Sequence, residues 1–184
     1  MTAATDRYFV LSGGPGSGKT TLIETLQAAG FATMPEAGRA IIRDQMAVGG
    51  PALPWNDPAL FAELMLAWEL RSHQEAASRG GPVFFDRGVP DVAGYLKLTG
   101  LPVPSHVEAA ARRFRYNRKV FMLPPWPQIF RQDDERRQDF DEAARTHAAM
   151  AETYAGLGYD LVEVPRASVA ERMRFVVSQV GTQP

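Results

Sequence analysis

Eight residues near the start of the chain, Gly13-Gly14-Pro15-Gly16-Ser17-Gly18-Lys19-Thr20, restrict the fold more than any other feature. They satisfy the pattern G-x-x-x-x-G-K-[ST] in full, and their flanks have the required character. A short apolar run, Tyr8 to Leu11, leads into them, and Leu22, Ile23 and Leu26 follow on one helical face until Gly30 ends the pattern. Strand, glycine loop and helix in that order make a phosphate-binding turn. Glycines permit positive φ and close backbone approach, so successive N–H groups converge on an anion. The helix opening near Gly18 adds the partial positive charge of its N-terminus. Lys19 supplies a point charge for the β- and γ-phosphates of ATP, and the Thr20 hydroxyl is placed to ligate Mg²⁺. The expected triphosphate-binding residues are therefore Gly13, Gly14, Gly16, Ser17, Gly18, Lys19, Thr20 and Thr21. The chain has only three lysines, so chance supplies such a match on the order of a few times in a thousand sequences of this composition.

The rest of the chain repeats the alternation of strand and helix. Phe31 to Met34 reads as a strand stopped by Pro35-Glu36, followed by a helix with Ile41, Ile42 and Met46 that closes at Gly49-Gly50. Residues 49–58 are rich in Gly and Pro and hold Trp55, which marks a loop. Asp57-Pro58 opens a helix whose Phe61, Leu64, Met65 and Trp68 fall at core spacing. Val83-Phe84-Phe85 is a buried-strand run ended by Asp86-Arg87-Gly88, and helical segments are expected near 90–98 and 104–116. Val120 to Leu123 and Tyr159 to Val164 are further strands, with a charged stretch and a helix through Met150, Tyr154 and Leu157 between them. Val169, Met173, Val176, Val177 and Val180 line the last helix. Strands separated by helices throughout imply a parallel α/β sheet with helices on both faces.

Composition narrows the function. The 20 Lys and Arg against 21 Asp and Glu give a net charge of −1, without the basic excess of a protein that lives on the nucleic-acid backbone. No cysteine is present, which excludes disulfides, a thiolate nucleophile and zinc–thiolate sites. His73, His106 and His147 show no metal-ligand spacing. There is no basic-then-apolar leader, and no apolar run nears the ~18 residues of a membrane span. A cytoplasmic protein forming one domain over residues 1–184, with no membrane partner, is expected.

In open parallel sheets the ligand lies beyond the carboxyl ends of the strands. Glu36 and Asp86 stand at such ends and Asp91 follows one turn on. Asp86, after an apolar strand, suits an acid that holds the Mg²⁺ hydration shell, although Asp is also a common helix cap. Glu36 and Arg39 share a helix face, where they could orient an acceptor hydroxyl and grip its anionic group, or form a helix-terminal ion pair. Arg87 is similarly placed to bind a substrate phosphate or carboxylate. Arg131, Arg136 and Arg137 lie in the stretch after the fourth strand, where a lid can swing arginines over a triphosphate and exclude water. A solvated helix start is the plainer reading of that stretch. Trp55 is the one aromatic in a loop that could stack on an acceptor.

Gly-Gly-Pro-Gly-Ser-Gly-Lys-Thr, Pro-Glu-Ala-Gly-Arg at 35–39, Phe-Asp-Arg-Gly-Val-Pro-Asp at 85–91, Gln-Asp-Asp-Glu-Arg-Arg at 132–137 and Leu-Gly-Tyr at 157–159 occur in that order. Together they resemble the NadR-type AAA domain family of ATPases and kinases, related to the ribosylnicotinamide-kinase domain and more distantly to thymidylate and deoxynucleoside kinases. The resemblance spans roughly 8–180. It implies a three-layer P-loop kinase core with a five-stranded parallel sheet of order 2-3-1-4-5 and a lid. It also implies Gly13, Gly18, Lys19 and Thr20 as the triphosphate and Mg²⁺ site, Glu36 as the acid after the second strand, Asp86 and Arg87 as the Asp-Arg pair, and Arg136 as the lid arginine. The chain is too short for the second subdomain of ring-forming AAA motors.

The function expected from these features is Mg²⁺-dependent transfer of the ATP γ-phosphate to a small hydroxyl metabolite. Lys19, Glu36, Asp86 and Arg136 would carry the chemistry, Arg131 and Arg136 would cover the nucleotide, and Glu36, Arg39, Trp55 and Arg87 would meet the acceptor. An ATPase or nucleotide-dependent switch acting through a protein partner is the alternative, and a DNA-associated ATPase a weaker third. No Asn-Lys-x-Asp segment supports guanine recognition.

Overall fold

The computed structural model describes residues 4–130 and 139–181. Five strands, β1 (Tyr8–Gly13), β2 (Ala32–Met34), β3 (Val83–Asp86), β4 (Lys119–Leu123) and β5 (Asp160–Glu163), form one sheet of order β2-β3-β1-β4-β5. Every pairing is parallel, with Val10 opposite both Phe85 and Val120. This is the order that the family resemblance implies. Seven helices fill the connections: α1 (Lys19–Ala28), α2 (Ala37–Val48), α3 (Pro58–Glu75), α4 (Val89–Leu98), α5 (Ser105–Arg113), α6 (Phe140–Gly156) and α7 (Val169–Val180).

The sheet is covered on both faces, and its central strands are accordingly buried at every position, with apolar residues on both sides until Ser12 and Asp86 near their carboxyl ends. Side chains alternate across a strand, so Tyr8, Val10, Phe85 and Met122 join a core that includes Leu66 of α3, Val92 and Leu96 of α4, and Met150 and Tyr154 of α6. Phe9, Leu11, Phe84, Phe121 and Leu123 point the other way, onto Leu22, Ile23 and Leu26 of α1 and Val176 of α7. A third cluster, Ala37, Ile41, Ile42 and Phe61, joins α2 to α3, with Leu64, Met65 and Trp68 packed against it as the spacing predicts.

Local chemistry sets the ends of the elements. The Asp57 side chain accepts from the Leu60 N–H at 2.9 Å with Pro58 in the first turn of α3, and Ser168 and Glu171 form a capping box at the start of α7. Helix α5 ends at Arg113, short of the expected 116, because Tyr116 turns inward and its hydroxyl accepts from the Val89 N–H at 3.1 Å. The edge strand β5 is shorter than the apolar run around it, since both its terminal residues, Asp160 and Glu163, are exposed acids. The connection from β1 runs to β2 on one side of it and that from β3 crosses over to β4 on the other, so the crevice at this reversal opens at the carboxyl end of β1. Among the described residues, no helix is long and apolar enough to cross a membrane.

Candidate nucleotide and acceptor site

The loop from Gly13 to Gly18 is shaped by what presses on it. Gly13 has φ 144°, and a Cβ there would stand 2.5 Å from the Leu123 carbonyl oxygen of β4. A Cβ at Gly14 would overlap the Ala143 carbonyl at the start of α6. Gly16, at φ 68°, lies under the Phe130 ring, and Gly18, at φ 75°, lies against Arg172 and Ile129. Any other residue type at these positions would push the loop off its neighbours or strain its backbone. The Ser17 hydroxyl donates to the Gly14 carbonyl at 2.9 Å and closes the turn. A cavity of ≈ 460 Å³ opens above the loop, within the range of small-ligand sites, walled by Gly14 to Thr21, Arg39, Trp126, Ile129, the Ala167–Val169 segment and Arg172.

Lys19 is 5% exposed, and its Nζ donates to Asp86 Oδ1 at 2.6 Å. Asp86 is thus held against the phosphate cradle by the lysine itself. Parallel registry places Asp86 opposite Leu11 of β1, two residues before the glycine loop begins. Thr20 opens onto the same cavity. No group of three or more His, Cys, Asp or Glu able to hold a metal occurs among the described residues. Thr20 and Asp86 nevertheless give an all-oxygen pair of donors, which fits Mg²⁺, an ion that keeps most of its waters and takes one or two protein ligands beside phosphate.

Beside the cradle lies a second, charge-dense group. Arg87 has φ 75°, the only non-glycine at positive φ among the described residues, which is a strained conformation that aims its side chain back across the strand ends. Its Nε donates to Glu36 Oε1 at 3.2 Å and its NH1 to Asp91 Oδ1 at 3.1 Å. Arg39 approaches the other oxygen of Glu36 at 3.7 Å. Burial alone would lower the affinity of Arg87 for its proton, but the carboxylates of Glu36, Asp91 and Asp86 reverse this and hold it firmly charged.

Asp91 is committed to structure. Beyond Arg87 it accepts from the Ser12 hydroxyl, from the Gly88 N–H at 2.9 Å and from the Tyr154 hydroxyl at 2.6 Å. Four donors occupy both its oxygens, which leaves no lone pair for an acceptor. Glu69 of α3 is the remaining acid. It is 3% exposed. Burial first, then the charges of Asp91, Asp86 and Glu36, push its carboxyl well above the usual range.

The structure therefore brings together the glycine loop, Lys19, Thr20, Asp86, Glu36, Arg39 and Arg87. The ion pair weighed for Glu36 and Arg39 is present, yet Glu36 also holds Arg87 and is only 8% exposed, so it is not a solvated pair. Trp55 is 61% exposed in the α2–α3 connection and does not line the cavity. Arg131, Arg136 and Arg137 lie outside the described residues. Sequence reasoning passed over Trp126, Arg172, Ser12, Tyr154 and Glu69. The Ser168-to-Glu171 box marked the start of α7 and hence the place of Arg172. Glu69 interrupts the apolar stripe of Ala62 and Leu66 at core spacing, which was a readable sign of a buried acid.

A family described as an AAA domain matches residues 8–172. The chain belongs to that family. No match is found among the curated proteins. Among solved structures, this AAA domain chain is similar to deoxyadenosine kinase from M. mycoides with bound dATP, at TM-score 0.64 and 13% identity, covering 95% of this chain and 99% of that one. A second structure of that kinase, with products dCMP and dCDP, gives TM-score 0.66 at 13% identity and covers 95% and 98%. The NadR protein in complex with NR gives TM-score 0.68 at 18% identity over 97% of this chain. The AAA domain chain spans about half of that NadR chain, 52%. The shared feature is the P-loop kinase fold.

Proposed function

We propose that this chain is a Mg²⁺-dependent phosphotransferase that moves the γ-phosphate of ATP to a hydroxyl of a small metabolite. The observation that carries the reading is the placement of a buried Glu36–Arg87 pair beside Lys19 and Asp86, at the same strand ends as the glycine loop. A second, largely buried ionic group beside the phosphate loop offers a place where an acceptor hydroxyl can be oriented. Fold likeness to a deoxyadenosine kinase supports the same reading.

In this mechanism the N–H groups of the glycine loop and Lys19 hold the triphosphate, and Lys19 leaves Asp86 for the phosphate oxygens. Thr20 and Asp86 would hold Mg²⁺, which when bound offsets charge on the phosphate oxygens. Glu36 accepts a hydrogen bond from the acceptor hydroxyl and points its oxygen along the line of transfer. Arg87 fixes Glu36 in that orientation. Arg131 and Arg136, with Arg137, are assigned to cover the γ-phosphate, and Arg39 and Trp55 to flank the acceptor. The protein acts as one domain over residues 1–184, in the cytoplasm, on small molecules rather than on nucleic acid.

The test is a thermal-shift and transfer assay with MgATP and a panel of nucleosides, sugars and cofactor precursors. MgATP is expected to raise Tm in the wild type and not in Lys19→Ala, and one acceptor class is expected to accelerate ADP release while becoming phosphorylated. Turnover that responds only to a protein partner would favour the switch reading. A shift that persists in Lys19→Ala would remove the cradle assignment.

A further inference from the structure

Arg172 stands on the first turn of α7, more than 150 residues beyond the loop that it touches. It is 4% exposed. Its NH2 donates to the Ser17 carbonyl at 2.9 Å, and its NH1 reaches the Gly18 carbonyl at 3.5 Å. The guanidinium carbon lies 5.7 Å from the centre of the Trp126 ring, and its buried Nε has no hydrogen-bond partner. Among the described residues no carboxylate pairs with it, and burial lowers its hold on the proton. A desolvated cation without a counter-ion, beside an anion-binding loop, is poised to be balanced by whatever that loop binds.

The covalent geometry of the loop gives this contact a direction. In a trans peptide unit the C=O and N–H point opposite ways. Holding the Ser17 carbonyl toward Arg172 therefore turns the Gly18 N–H away from it, into the cradle, while the Gly18 carbonyl is held chiefly by the Leu22 N–H of α1 at 3.2 Å. The missing side chain at Gly18 makes the approach possible, since a Cβ there would stand 2.6 Å from Arg172 NH1.

We propose that Arg172 is a positioning residue for the phosphate loop, which it orients from the cavity wall through the Ser17 carbonyl, and that it strengthens binding of the polyphosphate independently of the base. The proposal rests on the nucleotide reading above and concerns a residue which that reading does not use. It separates Arg172 from a mere base contact, a role its stacking against Trp126 in the cavity wall would also allow.

The experiment compares two ligands by calorimetry: a non-hydrolysable MgATP analogue, and inorganic tripolyphosphate, which has no base. Arg172→Gln is expected to weaken both by about tenfold or more, as loss of charge-assisted hydrogen bonds entails. Arg172→Lys keeps the charge but not the fork, so it is expected to weaken both by less. Weakened analogue binding with unchanged tripolyphosphate binding would make Arg172 a base contact and overturn the proposal. A lowered Tm with both affinities unchanged would make it a packing residue and overturn it equally. Should Arg172→Gln not fold, Arg172→Lys decides alone, and wild-type affinity for tripolyphosphate in that variant sinks the orienting role. A wild type that binds neither ligand would instead strike the nucleotide reading.

Discussion

The glycine loop comes from one stretch of chain, Gly13 to Thr21, whereas the ionic group beside it, the proposed acceptor end, gathers Glu36, Glu69, Arg87 and Asp91 from around α2, α3 and α4. The first binds through backbone N–H groups and a helix terminus, so side-chain identity matters little except at Lys19 and Thr20. The second has no backbone receptor and depends wholly on side chains that hold one another. The contrast is also one of charge. The loop presents donors, while the neighbouring group crowds Glu36, Glu69, Asp86 and Asp91 around Arg87. On the proposed function, selectivity for the acceptor would reside in tertiary packing, and affinity for the polyphosphate in the local geometry of the loop together with the distant Arg172 that touches it.

Separating the two ends by mutation sharpens this contrast. The largest effect is expected from Glu36→Gln, which should cut transfer by roughly a hundredfold or more while leaving the MgATP-induced Tm shift intact. A parallel loss of the Tm shift, read in the same thermal assay, would mean that the ends are not independent. Tyr154→Phe removes the donor at 2.6 Å from Asp91 and is expected to cost about 2 kcal/mol in urea unfolding. Because Asp91 holds Arg87, the same variant should raise KM for the acceptor and not for ATP.

Glu69→Gln is the smallest and acts through pH. The folded-state carboxyl of Glu69 titrates well above its unfolded value, so between the two the folded protein binds more protons than the unfolded one. Its contribution to stability is thus full below the ordinary carboxyl range and falls as pH rises toward the elevated value. The glutamine variant should lose that decline and gain on the wild type more at pH 8 than at pH 5 in urea titrations. An equal difference at both pH values would show that Glu69 is not the group responsible. His73 and His147, both lowered chiefly by burial, act in the opposite sense, losing stability as pH falls below their unfolded value, and are unchanged in this variant.

This division explains what could be read from sequence. The glycine loop, Asp86 at a strand end and the two-faced apolar strands are local patterns, and each stands where the pattern puts it. The strand order needed the family resemblance, because no local pattern shows that β1 is inserted between β3 and β4. For Asp91, nothing local in the sequence announces that Ser12 and Tyr154 converge on it from 79 and 63 residues away. Trp126 and Arg172 were overlooked for the same reason. Each gains its meaning from the glycine loop, which is more than 100 residues distant along the chain.

The Lys19–Asp86 bridge has a consequence for the order in which ligands enter. The Lys19 ammonium holds the carboxylate that a divalent cation would claim on the proposed function. A polyphosphate that drew the lysine away would leave the aspartate unpaired, and a lone cation would have to evict the lysine. The two arriving together would exchange partners without leaving either residue bare, so the proposed phosphotransferase would admit its nucleotide as the metal complex.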